Sequence, residues 1–319
     1  MTSALNEKTL RFNLHGSICE INCIGQSDDV FRVAREIEAD FSALKTHSLE
    51  KPDVSIRLVD DLSISSSAFK FRTTLGQLYL NGKSRQIQFD DGSRARIEFS
   101  DAARRADFKL GSSATDFIEN FMLASWGEIL EKRGFFRLHA AAIAGEEGAQ
   151  LFVAYSGAGK STLISRAIES GIKIYTDEMA LIFDGSIYAC PVPLALDGQN
   201  KSSLNKSRSR SYLGSSKPLF PLTESMLAGP AKVQSIVFVS NSISFARPIE
   251  WIVSVTLGLG LPQMKEYLVR FDNFGWLMSA AVRRFAFAFT CLIERRVMFQ
   301  SENEFRTRPV NSPISSRIC

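Results

Sequence analysis

Hydrophobic and polar residues alternate along the first part of the chain, as they do in half-buried β-strands. Residues 8–24 show this alternation and predict a pair of strands. Residues 28–44 change to helical spacing, with apolar side chains three or four positions apart. Asp28 or Asp29 is in position to cap the start of this helix. The pattern predicts a helix that follows a two-stranded unit.

Short alternating runs continue from residue 53 to about residue 100. Turn signals separate them at Asn81-Gly82 and Asp91-Gly92, dipeptides that are typical of tight hairpins. These runs predict a meander of antiparallel strands. Residues 1–112 are therefore predicted to form a small α+β N-terminal domain, in which no catalytic group of residues is visible.

A long helix is predicted to open the second unit. Residues 113–133 carry an apolar stripe at helical spacing, and Gly134 stands where such a helix is expected to stop. Two strand-like runs follow, FRLHAAAIA at 136–144 and AQLFVAY at 149–155. We therefore place a domain boundary near residue 112 and assign residues 113–319 to a second, α/β domain.

The second of these strands leads into the sequence SGAGKST. Phosphate-binding loops (Walker A) follow the pattern G-x-x-x-x-G-K-[ST], whose end is matched here, although Ala154 replaces the first glycine. Such a loop binds phosphate through backbone N–H groups and the positive end of the next helix, and a methyl group fits at the strand exit if φ is negative. The residues predicted to bind a nucleotide are Ser156, Gly157, Ala158, Gly159, Lys160, Ser161 and Thr162.

The surroundings of this loop match what the pattern requires. A strand precedes it, and the helical run STLISRAIES follows it up to Gly171. In a phosphate-binding loop, Lys160 would reach the β- and γ-phosphates and Ser161 would offer its hydroxyl to Mg²⁺. The sequence therefore predicts ATP and Mg²⁺ as ligands.

Two carboxylates stand close downstream. Asp177 and Glu178 follow a short strand-like run at 172–175 and precede another, MALIF. At the end of a strand next to the phosphate-loop strand, such carboxylates can hold Mg²⁺ or accept a hydroxyl proton, whereas a plain polar turn is the alternative. His139 lies on the apolar strand before the loop, a position at which a lone histidine is more often part of the core.

These segments together resemble a known family. LHAAAIA, a strand, SGAGKSTL, a helix and GIKIYTDE have the order and spacing of the catalytic domain of HPr kinase/phosphorylase, whose family shares its nucleotide fold with the phosphoenolpyruvate carboxykinases. The resemblance covers residues 136–200. It implies an α/β fold with a P-loop kinase core of HPr-kinase/carboxykinase-like topology. It also implies Asp177 as the base, Glu178 and Ser161 at Mg²⁺, Lys160 on ATP, and His139 beside the phosphates.

The sequence departs from the family in two ways. The family's Asp-Asp pair is Asp177-Glu178 here, so the roles of base and metal ligand can be exchanged between them. The family's later E-x-R-G-x-G signature, which is linked to recognition of HPr and to dephosphorylation, is not found. The chain is more similar to the shortened kinases that are encoded with peptide-modification systems and act on other targets.

We therefore predict an ATP-dependent serine kinase, HPr kinase-like, that phosphorylates a Ser or Thr hydroxyl of a protein or peptide. Two alternatives stay open. A nucleotide-binding regulatory protein without transfer activity would explain Ala154 and Glu178. The other alternative is a small-molecule kinase or a carboxykinase-like enzyme. The chain has only three histidines, which is few for the Mn²⁺ site of a carboxykinase.

Residues 199–217 are rich in serine and carry five cations and no acid. A segment of this kind is either a solvated loop or a lid that closes over phosphates. The net charge of the whole chain, +4, suits a phosphorylated ligand and does not argue for nucleic acid.

The remaining features concern location and assembly. The five cysteines are scattered, which is typical of free thiols in a reducing cytosol. The N-terminus has no apolar core of signal-peptide length, and no apolar run approaches the ~20 residues of a membrane span. The apolar run at 285–293 is predicted to be a buried helix or strand. We expect a cytoplasmic protein with no membrane partner, and the family resemblance implies a possible homo-oligomer.

Overall fold

The computed structural model describes residues 6–64, 69–72, 76–81, 84–99, 104–110, 114–155, 157–195, 208–212, 215–240, 246–257 and 274–307. Within these ranges the chain is a mixed α/β protein with three β-sheets and six α-helices. An α/β fold was predicted, and this coarse prediction is confirmed.

The first sheet has eight strands in the order β1-β2-β3-β8-β7-β6-β5-β4. The strands from β4 to β8 pair in sequence order and antiparallel, which confirms the predicted meander except for its first run, β3, which was wrongly included in it. The pairs β2–β3 and β3–β8 are parallel, and the alternation pattern had not predicted them. The bounds are β1 Asn6–Leu14, β2 Ser17–Gly25, β3 Val54–Val59, β4 Phe69–Arg72, β5 Gly76–Asn81, β6 Ser84–Phe89, β7 Arg94–Phe99 and β8 Arg104–Lys109.

Helix α1, Asp28–Asp40, packs on this sheet through an apolar face. Its N-cap is Ser27, whose hydroxyl accepts a hydrogen bond from the amide of Asp29 at 3.2 Å. The prediction that Asp28 or Asp29 caps the helix was therefore wrong by one or two positions. A hydroxyl at the N-cap satisfies a first-turn amide, while both aspartates lie inside the first turn and favour its positive end.

Ten further strands follow helix α2, Ala114–Lys132. Seven of them form the second sheet, in the order β10-β17-β13-β12-β9-β11, with β18 paired to β17 and β10 also paired to β9. The other three form a small sheet, β14-β16-β15. The bounds are β9 Phe136–Ala144, β10 Ala149–Val153, β11 Ile174–Thr176, β12 Met179–Phe183, β13 Ser186–Tyr188, β14 Leu194–Ala195, β15 Arg208–Tyr212, β16 Ser215–Phe220, β17 Ala231–Val239 and β18 Val297–Gln300.

The second sheet has helices on both faces. Ala141 of β9 packs with α3, Lys160–Glu169, while its neighbours Ala140 and Ala142 pack with helices on the opposite face. Three consecutive alanines in the strand leave room for helices to approach closely on either side. The remaining helices are α4 Arg247–Leu257, α5 Phe274–Ile293 and α6 Glu302–Thr307.

Helix α2 contacts both predicted domains. Phe117, Phe121 and Trp126 are buried in the same hydrophobic cluster as the first sheet, and the helix also contacts β9 of the second. The division at residue 112 stays a prediction.

A buried ion triad connects α2, β9 and α5. The carboxylate of Glu131 accepts hydrogen bonds from Arg137, at 3.0 Å, and from Arg284, and all three side chains are almost completely buried. Gly127 makes room for this arrangement, since a Cβ there would lie 1.8 Å from Nη1 of Arg137. We refer to Glu131, Arg137 and Arg284 as the ion triad.

The basic segment 199–217 lies mainly outside the described residues. Its described residues belong to the paired strands β15 and β16, so this part of the segment is not an irregular loop. The apolar run at 285–293 is helical as part of α5, and the prediction that it is buried is confirmed only for the side that carries Ala288 and Cys291. On the other side Phe285, Phe289 and Ile293 are 45%, 46% and 63% exposed.

Among the residues that the structure describes, none of the helices combines the length and the apolar character that a membrane span needs.

Candidate functional site

The glycine loop joins β10 to α3. Gly157 and Gly159 have φ angles of 87° and 109°, in the left-handed region that favours glycine. A Cβ at Gly157 would meet no atom within 4 Å, so glycine is needed there for conformation and not for space. Ala154 has no positive φ and is accommodated with 5% exposure, as predicted. The predicted ligand Ser156 lies outside the described residues.

The N-terminus of α3 provides backbone N–H donors for a ligand in this loop. The first-turn amides of an α-helix have no partner within the helix, and Gly159, the N-cap, offers no side chain to cap them. Thr162 lies in this turn and is half-buried, and Ala158 is buried beneath the loop. These amides and the helix dipole favour an anion at this point.

Lys160 is the first residue of α3, and its side chain folds back under the loop. Its Nζ donates to the carbonyl oxygens of Ala154, at 2.5 Å, and Tyr155, at 3.3 Å, and it lies 3.2 Å from Nε2 of His139. All three acceptors are uncharged. Burial lowers the pKa of the ammonium group, although the charges of Asp177 and Glu178 act in the opposite direction. An anion in the loop would place a further negative charge close to this ammonium group.

His139 is not an isolated core histidine. An ammonium group can only donate, so Nε2 is the acceptor and the ring proton is assigned to Nδ1. Burial, and next the charge of Lys160, lower the pKa of His139 to about 4, while Glu178 opposes the shift. The ring is therefore neutral at pH 7 and supports Lys160 as an acceptor.

This pKa makes stability depend on pH. The ordinary histidine value is 6.5, so between pH 6.5 and about 4 the unfolded chain binds a proton that the folded chain does not. The free energy of unfolding should therefore fall as the pH drops through this window. We expect His139→Gln, which keeps an acceptor for Lys160, to lose less stability than the wild type between about pH 7 and about pH 5 in urea titrations. His15, whose pKa burial also lowers, is present in both proteins and cancels. Parallel curves for the two proteins would contradict the prediction.

The acidic pair lies beside the loop, on the side of Ser161. The hydroxyl of Ser161 donates to Oδ2 of Asp177 at 2.7 Å, and Asp177 is 8% exposed. Glu178 is half-buried, and its charge acts on the pKa values of His139 and Lys160. Thr176 fixes the turn, since its Oγ1 accepts hydrogen bonds from the amides of Glu178 and Met179 at 3.3 and 3.1 Å.

The strand before the acidic pair is not next to the phosphate-loop strand, and this expectation was wrong. β11 pairs with β9, and β9 separates it from β10. Both strands run antiparallel to β9, so they are parallel to each other and their carboxyl ends lie at the same edge of the sheet. This topology brings Asp177 to Ser161 across 16 positions of sequence.

Helix α6 supports the loop from outside. Nη2 of Arg306 donates to the carbonyl oxygen of Gly157 at 3.0 Å, and Phe305 packs on Phe152 of β10 with 5.9 Å between ring centroids. No local pattern in the sequence marks Arg306, because this residue lies 149 positions from its partner.

Among the described residues, no three or more His, Cys, Asp or Glu side chains group in a way that could hold a metal ion. No protein-family model matches the chain, and no curated protein is significantly similar to it.

Proposed function

We propose that this chain is an ATP-dependent phosphotransferase with a P-loop core of HPr-kinase/carboxykinase-like topology. One observation carries the proposal. The hydroxyl of Ser161, in the first turn of α3, meets the carboxylate of Asp177 at 2.7 Å, next to a buried Lys160 and a glycine loop with two left-handed residues. A lysine, a hydroxyl and a carboxylate at a helix N-terminus are the parts that phosphoryl transfer requires.

The phosphates of the nucleotide would lie between the loop amides and Lys160. Among the described residues, the hydrogen-bond acceptors of the ammonium group are neutral, and Gly159 provides no side-chain cap for the first-turn amides of α3. A phosphate would satisfy both, through charge-assisted hydrogen bonds to Lys160 and through the helix N-terminus.

The residues present fit Mg²⁺. Ser161 and Asp177 offer a hydroxyl and a carboxylate oxygen in contact with each other, and hard oxygen ligands are those that Mg²⁺ prefers. In nucleotide sites this ion is held by one or two carboxylates together with phosphate oxygens, so a cluster of three protein ligands is not required. When bound, Mg²⁺ supplies charge neutralisation at the phosphates.

The geometry favours the exchanged assignment of the acidic pair. Asp177 is bonded to the hydroxyl that would hold Mg²⁺, so it belongs on the metal side. Glu178 is more exposed than Asp177, and its charge acts on His139 as well as on Lys160, so we infer that an acceptor hydroxyl approaching from solvent reaches Glu178 first. We therefore propose Glu178 as the base that orients the hydroxyl and takes its proton, with Ser or Thr of a protein or peptide as the acceptor class that the family resemblance implies.

Replacing Lys160 by alanine tests nucleotide binding directly. Charge-assisted hydrogen bonds contribute about 1.5–3 kcal/mol each, so the affinity for Mg·ATP should fall at least ~10-fold in titration calorimetry. Lys173→Ala removes an exposed lysine beyond the end of α3 and is the matched control, for which we expect unchanged affinity. Equal affinities for the wild type and Lys160→Ala would exclude a phosphate-binding loop at this position.

A further inference from the structure

The outer face of α5 carries no charged side chain in the part of the helix whose side chains the structure describes, from residue 278 onward. From residue 278 to the end of the helix, the exposed positions are polar but uncharged, or apolar. The large apolar ones follow each other at intervals of three or four positions, which places them on one side of the helix. Their exposed fractions lie between 45% and 63%, and they are Met278, Val282, Phe285, Phe289 and Ile293.

The two arginines of this helix are held by the protein. Arg284 is buried in the ion triad, and half-buried Arg283 donates from Nη2 to the backbone carbonyl of Glu131 at 2.7 Å and from Nη1 to the exposed hydroxyl of Ser279 at 3.0 Å. A surface helix ordinarily buries its apolar stripe and exposes its charges. In α5, Arg284 is buried while Phe285 and Phe289 are about half exposed.

Helix α4 extends the same surface. Ile249, Val253 and Leu257 are 65%, 46% and 53% exposed, and they recur at every fourth position. The two helices contact each other and pack on the same face of the second sheet, so their outer sides form one surface. We call these three side chains and the five of α5 the apolar helix face. Contiguous apolar surface of this extent marks an interaction site in a water-exposed protein.

We infer that a second copy of this chain covers the apolar helix face in a twofold-symmetric dimer. Eight large side chains that are each about half exposed present roughly 700 Å², which is close to the ~800 Å² that each partner contributes to a stable interface. A twofold interface must also be self-complementary. An uncharged apolar face meets this condition without any pairing of opposite charges across the twofold axis.

A lipid surface fits the same face less well. Amphipathic helices that lie on membranes combine their apolar side with exposed Lys and Arg that bind anionic headgroups. The exposed positions of α5 from 278 to 293 contain neither residue, because Arg284 is buried and Arg283 is half-buried with its guanidinium bonded to Glu131 and Ser279. The chemistry of the apolar helix face therefore favours a second copy of this face, and not a membrane, as the partner.

Sedimentation measurements test this inference on the full chain. Interfaces of this size have dissociation constants that range from micromolar down to picomolar. At a chain concentration of roughly 50 µM, which exceeds the weakest of these, the wild type should therefore have twice the mass of one 35.4 kDa chain. Phe285→Glu/Phe289→Glu should have the mass of one chain, with a dissociation constant raised at least 100-fold. Leu49→Glu changes a side chain that is 94% exposed and lies outside the apolar helix face, and this control should stay dimeric. Circular dichroism and thermal unfolding verify that each variant is folded.

Cross-linking provides an independent measurement, because it detects the dimer without disrupting the proposed interface. In a Cys319→Ser background the other four cysteines are buried, so a short bismaleimide should join Phe285→Cys to its own copy and should not join Leu49→Cys. A monomeric wild type, equal cross-linking at both positions, or an unchanged mass for the double glutamate variant would each overturn the inference. Binding of a monomer to phosphatidylcholine/phosphatidylserine vesicles that the double variant abolishes would overturn it in favour of lipid.

Discussion

Glu178→Gln is expected to lower phosphoryl transfer by about 100-fold or more at saturating Mg²⁺, the scale typical of losing a general base. The amide keeps the shape of the side chain but cannot take a proton from the acceptor hydroxyl. Affinity for Mg·ATP should change little, because the proposed phosphate contacts belong to Lys160 and the loop amides. The rate is measured as transfer of labelled γ-phosphate from ATP to the proteins of a nucleotide-depleted lysate.

Asp177→Asn should produce a different phenotype. It removes the charge next to the Ser161 hydroxyl, so the Mg²⁺ concentration required for half-maximal rate should rise while excess Mg²⁺ restores much of the activity. Glu169→Gln, which changes an exposed carboxylate at the other end of α3, is the control for both variants. If Asp177→Asn loses transfer irrespective of Mg²⁺ and Glu178→Gln does not, Asp177 is the base, as the family resemblance alone implies. Full activity with both carboxylates replaced would exclude this site.

Replacing Glu131 by alanine is expected to destabilise the fold by about 3–5 kcal/mol, because it leaves two buried guanidinium groups without their shared carboxylate. Each carboxylate oxygen of Glu131 serves one arginine, Arg137 or Arg284, and these side chains are at most 4% exposed. Such a loss is a large part of the 5–15 kcal/mol that holds a typical domain folded. Urea unfolding at neutral pH measures the change.

Asp90→Ala is the matched control for this experiment. Asp90 pairs with Arg72 on the surface, where both side chains are more than half exposed, and exposed pairs contribute at most about 1 kcal/mol. If Glu131→Ala does not fold, Glu131→Gln replaces it in the comparison. The amide keeps one acceptor oxygen for the two arginines, so its loss of stability should be smaller than that of Glu131→Ala and larger than that of Asp90→Ala. Comparable losses for Glu131→Ala and Asp90→Ala would show that the triad does not stabilise the protein.

Local patterns predicted the elements that form through local interactions. The alternation of 8–24, the helical spacing of 113–133 and the order of strand, glycine loop and helix around Lys160 depend on neighbours a few positions apart, and these elements exist in the structure. The parallel pairings of β3 with β2 and β8 join distant segments, and no periodicity encodes them. For the same reason the pattern could not show that β9 separates β11 from β10.

Side-chain direction was the second limit of sequence analysis. The run at 285–293 is apolar, and it was predicted to be buried. The structure buries Ala288 and Cys291 of this run but leaves Phe285 and Phe289 about half exposed. Arg284 is buried because Glu131, on a distant helix, provides its partner. In the site, the residues of the loop and the acidic pair could be named from the sequence, whereas the contact of Ser161 with Asp177 and the support from Arg306 depend on tertiary structure.

The contact between α6 and the glycine loop also affects when the site can form during synthesis. Chains fold from the N-terminus as they emerge from the ribosome, and contacts between distant residues form late. The carbonyl of Gly157 acquires its Arg306 donor only after 149 further residues have been made. A nascent chain that already contains every residue of the loop and the acidic pair therefore lacks this contact, and a fragment that ends before α6 would lack it permanently.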